Sequence, residues 1–401
     1  MLLKVAGKSL WSRRVTAGLC ILSIAISVAV LLGINSLREE ARASFGRTIS
    51  GADLIVGARS GQLNLLLYSV FRMGDPTNNM AWSSYREIAS NPAVKWTIPL
   101  SLGDSHRGFR VVGTDDSYFR YYRYGQDFSL VLTQGRAFES QQEAVVGSRV
   151  ADVLGYKTGR DIVLAHGVGG AGFAKHSDHP FTIVGVLEPT GTPVDEGVYV
   201  SLDAIDAIHA GWQSPENNPA SRSITAAIVG LESRLQTFRI QRLINDYAAE
   251  PLQAILPGVA LSQLWRLMGT VEATLMAIAA LVLVAALLGM ATMLLASMQE
   301  RRREFAVLRT VGASPGFIFA LIQLEVIMLT LTGIGAGVGL LFLATLVARD
   351  WLRERAGVFI QGYGLSGDSA VLMGVILCGA LLCGLMPAIS AYRRSRHVDI
   401  D

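Results

Sequence analysis

Two stretches of this sequence carry side chains whose types and spacing could do chemistry. The first holds His166 and, after the glycine-rich run from Gly167 to Gly172, His176, Asp178 and His179. Imidazoles with a nearby carboxylate form a zinc ligand set, and a loop can gather them without helical geometry. Solvated or hydrogen-bonded loop histidines are the competing reading, and no HExxH, GxSxG or catalytic-cysteine pattern accompanies them. The second stretch is a charged insert from Glu300 to Ser314, set between two long uncharged runs. Glu300, Arg301, Glu304 and Arg309 supply charge, while Phe305, Leu308 and Val311 fall at helical spacing. This predicts a short helix with one charged and one apolar face, suited to being held by another protein at a membrane surface. Gly312 stands where such a helix should stop, and Ser314 with Pro315 reads as the N-cap and first-turn pair of the next helix.

Other resemblances to known chemistry fail on context. Gly7, Lys8 and Ser9 look like the end of a phosphate-binding loop, but no glycine precedes them at the required spacing and no strand leads into them. Gly333, Gly335, Gly337 and Gly339 lie inside an apolar run, where small residues four apart let helices approach closely, so helix packing is expected there rather than dinucleotide binding. The sequence therefore predicts no cofactor held by this chain, with zinc left open at the histidine segment.

The elements that must position these residues follow from composition. The chain has 401 residues, 51% of them hydrophobic and only 17% charged, which is too apolar for an ordinary soluble protein of this size. Uncharged runs extend from Val15 to Leu37, Ala273 to Gln299 and Ser369 to Tyr392, and the run from Thr310 to Ala348 is interrupted only by Glu325. Each exceeds the roughly 20 residues needed to cross about 30 Å of hydrocarbon, so four transmembrane helices are expected. The first run follows a basic leader containing Lys4, Lys8, Arg13 and Arg14; it is long for a signal-peptide core and is expected to be an uncleaved anchor. Leader, insert and the arginine-rich tail then share the cytoplasmic side, as positive-inside bias requires. The net charge of +3 is explained by these flanks and gives no reason to invoke nucleic acid. Cys20, Cys378 and Cys383 all fall within the apolar runs, leaving no disulfide for the domain between the first two. Glu325 would lie roughly 16 Å along its helix from Ser314, near mid-bilayer; a structural or interhelical hydrogen bond is the leading expectation, ahead of a proton or substrate relay.

Between the first two runs, residues 38–266 predict an α+β domain. Asp53 to Val56, Phe109 to Val112, Glu143 to Val146, Phe181 to Val186, Gly197 to Val200 and Ile224 to Val229 read as strands. Ser83 to Asn91, Leu202 to Gly211 and Glu232 to Ala249 read as helices, the last with Leu235, Phe238, Ile240, Leu243 and Ile244 on one side. A division into two lobes is expected near 135–140 or 167–172. Ser36 to Phe45 continues the first run without a breaker and Leu261 to Glu272 enters the second the same way, which predicts a paired helical stalk.

With these elements in place, the insert from Glu300 to Ser314 resembles the loop between the second and third spans of permeases in the MacB, FtsX and LolC/LolE group of ABC systems. Gly51 to Gly57, Phe181 to Leu187 and Pro189 to Pro193 are similar to segments of that family's periplasmic domain, and Leu324 and Glu325 followed by Gly333 to Gly339 to its third span. The resemblance implies a membrane protein with four transmembrane helices and a large α+β periplasmic domain inserted between the first and second. Its plan would be a cytoplasmic leader (1–14), spans at 15–37, 270–299, 315–348 and 369–392, and a periplasmic domain with stalk helices (38–266). A coupling loop (300–314), a periplasmic loop (349–368) and a cytoplasmic tail (393–401) complete it. Glu300, Arg301, Glu304, Phe305, Leu308, Arg309 and Gly312 would form a coupling helix docked on a separate ATPase dimer that handles ATP and magnesium, this chain being non-catalytic. A second copy or a paralogous permease, the lipid bilayer and a periplasmic adaptor or cargo-binding protein complete the implied partners at a bacterial inner membrane. The expected work is export, efflux or lipid and lipoprotein extraction by mechanotransmission. The alternatives are an FtsX-like regulator of a periplasmic hydrolase, or a membrane-anchored zinc-binding module.

Overall fold

A computed structural model of the protein describes residues 2–48, 50–166, 180–210, 222–300, 307, 310–356 and 367–396. The chain divides into two compact units: Arg42–Met268 forms one, and Met1–Ala41 with Gly269–Ala356 and the C-terminal helix forms the other.

The helices of the helical unit are α1 (Leu2–Ser12), α2 (Arg14–Arg47), the long α9 (Pro257–Glu300), α10 (Pro315–Ala356) and α11 (Gly367–Arg396), the last turns of α2 and the first of α9 being counted with the other unit. Four of these are long and apolar enough to cross a membrane: Arg14–Ala43, Pro257–Gln299, Pro315–Val347 and Ser369–Arg393. All four helices extend past the uncharged runs that define them in sequence, because helical hydrogen bonding continues through charged residues and tolerates single glycines such as Gly269 of α9. Their shared core joins Ile24, Val28 and Leu32 of α2 to Leu287, Met290 and Leu294 of α9, Val326 and Leu329 of α10, and Ile376 and Ala380 of α11.

The other unit is built on one large mixed sheet. Its strands in chain order are β1 (Leu54–Ala58), β2 (Met80–Ala81), β3 (Val94–His106), β4 (Phe109–Thr114), β5 (Arg123–Tyr124), β6 (Phe128–Ser129), β7 (Leu132–Gly135) and β8 (Glu143–Val146). They continue as β9 (Asp161–Ile162), β10 (Ala165–His166), β11 (Phe181–Leu187), β12 (Gly197–Ser201), β13 (Ser223–Ile224), β14 (Ala226–Leu231) and β15 (Leu252–Ile255). The main order across the sheet is β15-β1-β14-β3-β4-β12-β8-β11-β7. The β4/β12 and β8/β11 pairs are parallel, while β1 runs antiparallel to both β14 and β15. Short helices α3 (Gln62–Ser69), α4 (Trp82–Ala89), α5 (Asp116–Tyr121), α6 (Ser148–Leu154), α7 (Leu202–Ala210) and α8 (Thr237–Asn245) fill the connections.

Strand periodicity sorts the core. Leu54, Val56, Val229 and Ala254 face α4 and α8 through Tyr85, Ile88, Ile240 and Ile244, whereas the intervening Ile55, Ala226 and Ile255 face Leu65, Leu66 and Tyr68 of α3. Two sequence expectations are corrected here. The sheet does not divide at 135–140: β7 and β8, on either side of that point, both pair with β11. Instead the sheet turns over along β3, whose first half pairs with β14 and whose second half pairs with β4 across a register shift between Leu102 and Ser105. The alternative division at 167–172 lies outside the described residues. The expected helix from Glu232 to Ala249 shrinks to a 3-10 turn at Arg234–Gln236 and α8. Only Ile240 and Ile244 of its apolar set enter the core; Leu235 is 94% exposed, Phe238 is 71% exposed and Leu243 is exposed as well.

Candidate functional site

The charged insert is partly described. Glu300 closes α9, and Arg301, Glu304, Phe305, Leu308 and Arg309 lie outside the described residues, as does the side chain of Glu300. The end of the insert is defined: the Val311 amide donates to the Val307 carbonyl at 3.1 Å, one helical turn, and Gly312 then takes φ of +98°. That left-handed backbone is the ordinary way for glycine to end a helix. Ser314 Oγ accepts from the Phe317 amide at 3.2 Å and Pro315 opens α10, so the next helix starts with a capped first turn. Val311 is 82% exposed, leaving apolar surface free at this point of the chain.

Within the helical unit, Glu325 is 3% exposed, so its carboxyl is enclosed by protein. The glycines of α10 separate by face. A Cβ on Gly333 would lie 2.7 Å from Ile24 Cγ2, and one on Gly337 would lie 2.7 Å from the Ala25 carbonyl oxygen and 2.8 Å from Val28 Cβ, so α2 meets α10 there at backbone distance. Gly335 and Gly339 face no neighbour within 4 Å among the described residues, and so do not share that contact.

The two helices that bracket the sheet-rich unit touch within each unit. In the helical unit, Arg38 Nε lies 3.2 Å from Glu272 Oε2, joining α2 to α9. In the sheet-rich unit, the Arg42 guanidinium sits 5.5 Å from the centre of the Trp265 ring, and Phe45 packs edge-on against the same indole.

Of the histidine segment, His166 ends β10 with its backbone opposite Asp104 of β3, while His176, Asp178 and His179 lie outside the described residues. Among the described residues no group of three or more His, Cys, Asp or Glu side chains could hold a metal ion. The structured histidine is another one, His106, which carries no signal in the local sequence. It is buried on β3, with Nδ1 at 2.7 Å from the Val163 carbonyl and Nε2 at 2.8 Å from Tyr156 Oη. A carbonyl only accepts, so Nδ1 carries the proton and Nε2 accepts from the tyrosine. Burial pushes its pKa down, the bond to Val163 opposes this, and nearby Arg107 adds to the lowering. A neutral, doubly hydrogen-bonded imidazole of this kind braces the sheet and has no lone pair left for a metal.

A groove of about 590 Å³ opens where the parallel strands β4 and β12 end and α5 and α7 begin. Its walls include Asp115, Asp116, Glu139 and Asp203, with Arg222 on one side. Arg222 stacks 4.7 Å from the centre of Trp82 and pairs with Asp203 and Asp206, so this cation is already neutralised. The Phe138 to Gln141 wall is held by Glu143, which takes a two-pronged contact from Arg136 and accepts from the Glu139 amide at 2.8 Å. The Arg136 hydrogen bonds hold the Glu143 carboxyl down to about 2. Nearby, Asp195 accepts from the Thr190 and Gly191 amides at 2.8 Å, ordering the Pro189 to Pro193 turn, although burial pushes its pKa up.

Four helices long and apolar enough to cross a membrane and a sheet-rich unit thus occur in one chain. The class of protein follows from two family matches. Residues 17–245 match the family of MacB-like periplasmic core domains and residues 276–398 match that of FtsX-like permease C-terminal domains. The chain belongs to the MacB/FtsX-like ABC transporter permease family.

Among individual relatives, it is 23% identical over 98% of its length to the pyoverdine export ATP-binding/permease protein PvdT of Pseudomonas syringae pv. tomato. It is 24% identical over 97% of its length to the protein of the same name from Pseudomonas savastanoi pv. phaseolicola. The chain spans 58% of the length of each of these relatives. Among solved structures, the periplasmic region of MacB from Actinobacillus actinomycetemcomitans aligns with 54% of this chain and 94% of its own, at 11% identity and a TM-score of 0.36. The extracellular domain of the noncanonic ABC-type transporter YknZ from Gram-positive bacteria aligns with 51% of this chain and 99% of its own, at 14% identity and a TM-score of 0.32.

Proposed function

We propose that this chain spans a bacterial inner membrane four times, with the sheet-rich unit in the periplasm and the Glu300 to Ser314 loop in the cytoplasm. There it converts ATP-driven closure of an ATPase dimer into movement of the periplasmic domain. The observation that carries this reading is the length of the two bracketing helices. α2 has 34 residues and α9 has 44, about 51 Å and 66 Å at 1.5 Å per residue, against about 30 Å of hydrocarbon. Both therefore have turns to spare beyond the bilayer, and Arg38 with Glu272 ties those turns to one another. A paired stalk of this kind transmits displacement without opening an aqueous path, and the apolar, glycine-fitted contact between α2 and α10 leaves little room for one.

In this reading Glu300, Arg301, Glu304 and Arg309 make the polar contacts with the ATPase, and Phe305 and Leu308 pack against it. Two permeases, identical or paralogous, complete the unit. The cargo is a periplasmic or membrane-derived molecule; because two relatives are named for pyoverdine export, export of that class is the first to assay. The loop is tested by Glu304→Lys and Arg309→Glu. Both are expected to abolish stimulation of the co-purified ATPase while leaving the chain in the membrane fraction. Full stimulation in both variants would overturn the docking assignment.

A further inference from the structure

The first 14 residues do more than flank a span. They form α1, a separate 11-residue helix, parted from α2 only by Arg13. One side of α1 belongs to the protein interior: Ala6 is fully buried and Leu10 packs against the core of the helical unit. The junction is tied down as well, since the Arg13 guanidinium donates to the Ser297 carbonyl at 3.0 Å, in the last turn of α9. α1 is thus fixed beside the ends of the apolar helices.

Its other side is uncovered. Lys4, Lys8 and Trp11 are exposed and stand four and three residues apart, so they form one stripe, with Trp11 74% exposed. Exposed Leu3 and Val15 flank it. No carboxylate offsets this charge along the leader, because the first acidic residue of the chain is Glu39. An indole places its apolar ring at the boundary of headgroups and acyl chains, and lysine stems lie along that boundary with the ammonium groups at phosphate level. Charge complementarity selects an anionic surface.

We propose that α1 lies in the membrane interface and binds anionic phospholipid headgroups through Lys4 and Lys8, with Trp11 setting its depth. The proposal rests on the membrane-spanning reading above. It is tested with the full chain in vesicles containing either brominated phosphatidylglycerol or brominated phosphatidylcholine at equal bromine content, taking the Trp11 signal as the difference between wild type and Trp11→Phe. Trp11 is expected to be quenched about twofold or more strongly by the anionic lipid. Raising salt should reduce that preference, Lys4→Gln with Lys8→Gln should remove it, and the arginine pair Lys4→Arg with Lys8→Arg should keep it. Equal quenching by both lipids, or none, in a chain that still resists carbonate extraction would overturn the headgroup proposal alone. Release by carbonate would overturn the spanning reading and this one with it.

Discussion

His106 shows how one side chain sets a pH limit on the domain. Its folded pKa is pushed below the ordinary 6.5, so the unfolded chain binds a proton more readily than the folded one. Its contribution is fully present above about pH 6.5 and is lost as pH falls through the histidine range toward the lowered folded value. Thermal melts of the purified chain in detergent should therefore show a midpoint that declines below about pH 6.5. His106→Gln should start lower at neutral pH and lose that slope; an unchanged slope in the variant would place the titration elsewhere. This residue is not legible in the sequence because its partners are 50 and 57 positions away. His176, Asp178 and His179 stand out in the sequence by their proximity in the chain and lie outside the described residues.

At the scale of elements, strands such as Phe181–Leu187 and Gly197–Ser201 are readable because they combine β-branched residues with flanking glycine or proline, whereas the long β3 and the edge strand β15 are not among the runs expected. The Ile224 to Val229 run reads as one strand but breaks at Thr225 into β13 and β14, which belong to different sheets. α8 misleads for a different reason: apolar residues at helical spacing imply burial only where a partner surface exists, and Leu235 and Phe238 have none within the unit. The glycines of α10 are readable as a packing motif, yet which of them touch α2 depends on helix rotation. This gives a paired test. Gly337→Leu forces a side chain against the Ala25 carbonyl and Val28, and should destabilise the helical unit by about 1–3 kcal/mol. Gly335→Ala meets nothing within 4 Å and should stay within about 1 kcal/mol of wild type. Denaturation in mixed micelles would measure both, and equal losses would show that α2 does not pack where described.

For the whole molecule, the four-helix plan can be read from the order of apolar runs around a mixed domain, since hydropathy and length report it directly, whereas the family is legible only as a resemblance carried chiefly by the Glu300 to Ser314 insert. The path of the sheet cannot, because strand order depends on long-range pairing that local patterning does not encode. The mechanical reading makes its own prediction. Joining cysteines introduced by Arg38→Cys and Glu272→Cys with a short reducible crosslinker replaces the ion pair by a covalent tie and should leave ATP-dependent cargo movement intact, whereas the same variant without the crosslink should move cargo less well. Loss of transport with the crosslink in place, regained on reduction, would mean that the stalk helices move against each other rather than as a pair.

The placement of β1 has a consequence for how the protein is made. This first strand of the domain is held between β14 and β15, the last two to be synthesised, with Ile55 opposite both Ile228 and Ile255. Until residue 255 has emerged, β1 lacks its full pair of neighbours, and closing that sequence separation is slow. Until then the nascent domain is an incomplete sheet with an open edge, a state prone to aggregation. Chains ending between β14 and β15 should accordingly be rapidly degraded, whereas chains ending after α9 begins should accumulate.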